Sequence, residues 1–297
     1  MTSVTPPASR RRLPPLSRRP YRDGIELSVV GFGGMVLVGM EQGAADRIVA
    51  DSVDRGVNYF DVAPFYGDGE AETKLGIALM HYRQEVFLAC KTLERSAAGA
   101  TKELDRSLRR LRTDHFDLYQ FHAVTEPGEV DSIFAPRGAV EAFVRAREQG
   151  KVRYVGFSAH SVAAALSMMD RFDFDSILFP VNFVLFARGN FGPQVLQKAR
   201  QKGLARLALK ALAHRPWRRG EARAYPNCWY CPIDDPALAL KALRFTLSEE
   251  VVSAIPPGDE RLFRMALDLA RRVTPMTDQE RRDLLSSASG LKPLMRA

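Results

Sequence analysis

Four side chains, Asp61, Tyr66, Lys91 and His122, carry the chemistry this sequence suggests. Asp61 ends the apolar run VNYF, Lys91 ends VFLAC and His122 ends DLYQF, so three consecutive strand-like runs finish in an ionisable residue. Tyr66 follows Asp61 by five positions, in the turn APFYGDG. A single charge at a strand tip is usually a solvated loop residue. Three at equivalent positions suggest one shared site. Such a set could transfer a proton to an oxygen. A free phenol, with a pKa of about 10, is a poor acid at neutrality. A lysine ammonium beside it favours the phenolate and lowers that pKa. Asp61 would keep Lys91 charged and oriented, while His122 could hydrogen-bond a substrate oxygen from the other side.

Those tips need strands to hold them. Strand-like runs recur at SVVGFGG near 28, VNYFD near 57, VFLAC near 86, FDLYQF near 116, VRYVGFS near 152, SILFPVNF near 176, RLALK near 206 and VVSAI near 251. Between them GAADRIVADSVDRG, EAETKLGIALMHYR, TKELDRSLRRLR and GAVEAFVRAREQGK have the apolar spacing of amphipathic helices. Asp235-Pro236 ahead of ALALKALRFTLS reads as an N-cap followed by Pro in the first turn. Near-continuous apolar strands alternating with helices imply a parallel sheet covered by helices. Eight such units predict a single (β/α)8 TIM barrel of the α/β class, with an open doubly wound sheet as the alternative. Asp23-Gly24 adds an N-terminal β-hairpin, and about 25 residues, ALAHRPWRRGEARAYPNCWYCPID, form a long loop after the seventh strand. In such barrels the strand C-termini form the active face.

The chain has 297 residues, 46% of them hydrophobic and 26% charged, as in ordinary globular proteins. Its net charge of +8 is concentrated at one end: residues 1–22 hold six arginines and no acid, leaving 37 basic against 35 acidic residues elsewhere. A nucleic-acid face is therefore not expected. No stretch has the length of a membrane span. Residues 1–20, rich in Pro, Ser and Arg, read as a solvated tail without an export signal, and residues 21–297 as the barrel domain. Three cysteines, Cys90, Cys228 and Cys231, suit a reducing cytoplasm. One CxxC offers only two ligands, so no metal site is expected.

The four-residue set resembles the catalytic tetrad of the aldo-keto reductase superfamily. The likeness continues through GFGGM at 31–35, DVAPFYG, CKT at 90–92, DLYQFH at 117–122, GKVRYVGFS at 150–158 and VVSAIPPG at 251–258. It implies direct hydride transfer from NADP(H), or alternatively NAD(H), to an aldehyde or ketone, without a metal. By this resemblance Tyr66 is the proton donor, Lys91 and Asp61 tune it, and His122 orients the small-molecule carbonyl substrate. The alternative is a catalytically weak, cofactor-binding barrel that serves as a redox-sensing or regulatory subunit.

The resemblance also implies cofactor contacts from Gly33, Gly34, Met35, Asp61 and Ser158. Further ones fall at Leu178, Ile255, Pro257, Gly258, Arg261 and Arg264; Lys210, at the end of the seventh strand, is a further candidate from its place on the active face. Two departures stand out. Where the family often has Ser-Asn, this chain reads Ser158-Ala159-His160, and the usual Gln is matched by Leu178, with Asn182 nearby. Arg261 and Arg264 favour a 2′-phosphate, whereas the adjacent Asp259 and Glu260 favour a 2′-hydroxyl. Phe65, Phe186 and Trp217 are expected to line an apolar substrate pocket. Within the long loop His214, Arg215, Arg218, Arg219 and Arg223 could reach a pyrophosphate, and Trp229 could join the pocket.

Overall fold

The computed structural model describes residues 16–297. Most of the expected tail, residues 1–15, lies outside the described residues. Its last five residues belong to the fold. Leu16 is buried, and strand β1 (Arg18–Arg22) pairs antiparallel with β2 (Ile25–Ser28). Asp23 and Gly24 both take positive φ, at 50° and 77°. This is the backbone that a two-residue hairpin requires and that Asp-Gly supplies. The boundary expected at residue 20 therefore moves upstream, because Arg19 Nη1 donates to the carbonyls of Leu247 and Val251 at 2.7 and 2.6 Å.

After the hairpin come β3 (Phe32–Gly33), α1 (Gln42–Asp54), β4 (Tyr59–Asp61), α2 (Glu70–Ala78), β5 (Phe87–Thr92), α3 (Ala97–Arg110) and β6 (Phe116–Val124). The chain continues through α4 (Pro127–Phe134), α5 (Ala139–Glu148), β7 (Val152–Ala159), α6 (Val162–Arg171), β8 (Ser176–Pro180), α7 (Pro193–Gln201) and β9 (Ala205–Leu209). It ends with the ribbon β10 (Ala213–Pro216) and β11 (Tyr230–Pro232), then α8 (Pro236–Ser248), β12 (Ser253–Ile255), α9 (Glu260–Ala270) and α10 (Asp278–Ser287).

Strands β3 to β9 pair in parallel in chain order, and β12 pairs with β9. Gly31 N donates to Ala254 O at 3.1 Å and Ala254 N to Val29 O at 3.0 Å, joining the first run to the last. The barrel reading holds and the open-sheet alternative falls. All eight expected runs supply barrel strands. The loop after β9 differs from expectation: its ends zip into the antiparallel β10–β11 ribbon, with Arg215 opposite Cys231. Asp235 caps α8, accepting from Leu238 N at 2.7 Å.

Two apolar layers follow from the period-2 strands. One lies between the barrel and its helices. The other fills the interior with Tyr59, Phe87, Ala89, Leu118, Tyr154, Leu178 and Leu207, closed from below by Tyr21 and Leu27 of the hairpin. The Tyr21 ring meets those of Phe87 and Tyr154 edge-on at 5.0 and 5.4 Å. Among the described residues no helix is long and apolar enough to cross a membrane.

Candidate active site

The interior changes character one layer above that plug. Two residues beyond Tyr59, Ala89 and Leu118, the same inward positions carry Asp61, Lys91 and Gln120, and His122 follows Gln120. Alternation thus carries an apolar floor directly into a polar roof. Asp61, Lys91 and His122 of this roof line a cavity of about 460 Å³ at the strand C-termini.

Lys91 Nζ donates to Asp61 Oδ1, to Val62 O at 3.3 Å and to Tyr66 Oη at 3.2 Å. Asp61 also accepts from Tyr59 Oη and Gln120 Nε2, both at 3.2 Å. The pair is almost wholly buried, with side chains 1% and 2% exposed, so the carboxylate needs these donors. The rings of Tyr66 and His122 lie 5.8 Å apart and nearly perpendicular. The four residues separated in sequence therefore meet around one space.

Burial alone would push the Lys91 amine down, but Asp61 and Tyr66 outweigh it and hold the ammonium above its ordinary value. At Tyr66 burial pushes the phenol up, against Lys91, which draws it down. The net direction is upward, so the expectation of a lowered phenol pKa is corrected: desolvation exceeds the lysine's pull. Burial, reinforced by Lys91, His160, Arg95 and Lys210, holds His122 well below its usual range, hence neutral. Its Nδ1 is buried without a partner among the described residues.

Of the residues expected to contact a cofactor, Gly33, Met35, Asp61, Ser158, Leu178, Lys210, Ile255, Pro257 and Gly258 line the cavity. Gly34 lies behind it: a Cβ there would meet Val62 Cγ2 at 2.7 Å. Arg264 points away, paired with Asp51 and Glu260 at 2.9 and 2.8 Å. Arg261 is held by Asp259, by Ala224 O at 2.8 Å and by the Tyr225 ring. Asn182 is spent on Lys210 O and Leu185 N, so it offers nothing to the cavity.

Phe65 lines the cavity, but Phe186 and Trp217 do not. Phe186 packs edge-on against Phe245 of α8 at 5.2 Å, and Trp217 Nε1 donates to Cys228 O at 2.8 Å. Aromatic content marked them, but side-chain direction decided otherwise. Trp229 takes the pocket position instead, with Asn227, Cys228 and Tyr230. His214, Arg215, Arg218, Arg219 and Arg223 do not reach the cavity; Arg215 forms a two-bond pair with Glu221 at 2.7 and 2.8 Å.

Sequence reasoning passed over Gln120 and Tyr59. Both sit two residues from a tetrad member on an inward-facing run, a signal legible from period 2 alone. The cysteines carry no reactive signature: burial pushes Cys228 up to about 11 and Cys231 upward. Among the described residues no three His, Cys, Asp or Glu side chains gather as a metal site.

A closed parallel barrel with this tetrad at its mouth defines a class, and the family model for the Aldo/keto reductase family matches residues 29–227. The chain belongs to the aldo/keto reductase family. It is similar to the uncharacterized oxidoreductase YqkF of Bacillus subtilis, 33% identical over 147 residues, covering 46% of each chain. It is also similar to L-galactose dehydrogenase of Arabidopsis thaliana, 29% identical over 161 residues, covering 50% of each. The chain thus spans about half the length of the curated relatives it matches. Among solved structures, aldo-keto reductase AKR11C1 from Bacillus halodurans in its holo form shares the fold. The TM-score is 0.74 at 24% identity, over 95% of this chain and 100% of that one.

Proposed function

We propose that this protein is an NAD(P)H-dependent oxidoreductase that reduces an aldehyde or ketone to an alcohol. The observation that carries the reading is Tyr66 Oη at 3.2 Å from a Lys91 ammonium paired with Asp61, with neutral His122 across the cavity. Tyr66, protonated at neutral pH, gives its proton to the carbonyl oxygen. Lys91 stabilises the phenolate left behind, and its own charge is kept by Asp61. His122, being neutral, orients the oxygen without bringing a second cation. The nicotinamide supplies the hydride when bound.

The residues present fit that cofactor, by a changed route. Ser158 Oγ accepts from Ala123 N at 2.8 Å, which leaves its own proton free to donate to a carboxamide oxygen. Buried Ala159 and Leu178 supply no amide partner. Ser158, Leu178, Ile255, Pro257 and Gly258 would hold the cofactor against Gly33 and Met35. Arg261, once released from Asp259, would favour the extra phosphate of NADP(H).

The test is titration of the purified full chain with NADPH and NADH, followed by steady-state reduction of an aromatic aldehyde. Binding with aldehyde-dependent oxidation of NADPH is expected. Binding of the cofactor without turnover of any carbonyl compound would favour the regulatory-barrel reading instead.

A further inference from the structure

We propose that Lys210 and His160 form an anion subsite beside the reacting carbonyl, fitted to an aldehyde or ketone that also carries a carboxylate. The inference rests on the reductase reading and adds the substrate class. Lys210 follows β9 with φ at 64°, an uncommon conformation for a side chain of this size. Its amine is buried in the cavity wall, 3.1 Å from His160 Nε2 and 5.2 Å over the Trp229 ring. Among the described residues lining the cavity Asp61 is the one carboxylate, and Lys91, Tyr59 and Gln120 already occupy it. Lys210 therefore has a cavity, an imidazole and an aromatic face, but no counter-ion among the described residues.

A buried amine without a carboxylate is costly when charged; burial draws its pKa down to about 7. A carboxylate entering the cavity supplies the missing partner. The ammonium then donates one proton to His160 Nε2 and keeps others for the anion, while the Trp229 face favours the charged form. His160 is held neutral by burial and by Lys210, so it can accept that bond. Both groups line the same cavity as Tyr66 and His122, which puts the subsite in the same space as the carbonyl. The partners of the Lys210 amine stand at the end of β7 and beside the β10–β11 ribbon, not at Pro257 and Gly258, which precede α9. That direction favours a substrate carboxylate over a cofactor phosphate.

The test compares benzaldehyde with the ortho, meta and para carboxybenzaldehydes, using the full chain and NADPH. At least one carboxylated isomer should exceed benzaldehyde in kcat/KM by roughly tenfold or more, the scale of one charge-assisted contact. Lys210→Met should lower that preference by about the same factor, and His160→Phe by less, whatever change is common to both substrates. A preference near unity in the unaltered protein, or one unchanged in Lys210→Met, overturns the proposal. Parallel loss of all aldehydes together with NADPH affinity assigns the amine to a cofactor phosphate and likewise overturns it. If no aldehyde is reduced, the reductase reading fails on its own, and the subsite is read by binding. Benzoate, but not benzyl alcohol, should then change tryptophan fluorescence, and Lys210→Met should abolish the change. Equal responses to both compounds would sink the subsite.

Discussion

At Tyr66 two forces oppose each other, and their balance sets the expected pH behaviour. Burial raises the phenol and Lys91 lowers it, with burial the larger. On the proposed role of Tyr66 as proton donor, which requires the protonated phenol, carbonyl reduction should hold through neutrality and fall only as pH rises through that raised value. Lys91→Met removes the downward pull; it should slow reduction and move the alkaline limb to higher pH. Tyr66→Phe keeps the ring and removes the acid, so steady-state reduction should fall by about 10²–10⁴. A folded, NADPH-binding Tyr66→Phe protein with the parent rate would refute the assignment. Lys210 gives a stability prediction of definite sign. Its folded value is depressed to about 7, so between roughly 10.4 and 7 the unfolded chain binds more protons than the folded one. Stability should decline as pH falls across that window, and Lys210→Met should raise Tm at pH 6, measured by circular dichroism melts. The meeting of Asp61, Tyr66, Lys91 and His122 was legible because each ends an apolar run or lies just beyond one. The Lys210–His160 contact was not, since nothing local links residues fifty positions apart.

Among the elements, α9 separates two arginines that the sequence treated alike. Arg264 already pairs with Asp51 and Glu260, so Arg264→Ala should cost stability more than cofactor selectivity. Arg261 is largely exposed at the rim and needs only to leave Asp259 and Ala224. Arg261→Ala should weaken NADPH more than NADH, by roughly tenfold, the scale of a charge-assisted bond; equal losses in the two titrations would assign it to the helix surface alone. At α8 the cap is a simpler matter. Asp235→Ala should lower stability by about 1 kcal/mol in denaturant melts, since the carboxylate answers an amide at the helix start. The strands were readable because burial on both faces makes them apolar throughout. The β10–β11 ribbon was not, because its strands are short, mixed in polarity and separated by a polar loop. The same loop misled the aromatic reading: composition marks Trp217 and Trp229 equally, and only the path of the ribbon turns one of them toward the cavity.

For the molecule as a whole, the hairpin beneath the barrel is the part most exposed to trimming. The described residues begin at Leu16, so a chain lacking residues 1–15 is the reference for the next cut. Deletion through Pro20 removes the buried Leu16 and the two carbonyl bonds of Arg19. That loss should lower Tm by several degrees, on the order of 2 °C per kcal/mol for a chain this size, in parallel thermal melts of the two truncations. The eightfold rhythm was visible from one end of the chain to the other, but the way the ring shuts was not, because the bonds that shut it connect Val29 and Gly31 to Ala254. That seam has a temporal meaning. A ribosome adding about 5–20 residues per second needs on the order of ten to forty seconds to travel between those positions. Throughout that interval the first strand of the nascent chain has one side without its partner. Any sheet formed before that point is open along this edge, the kind of edge prone to edge-to-edge association, and the ring can shut only when the last strand has been made.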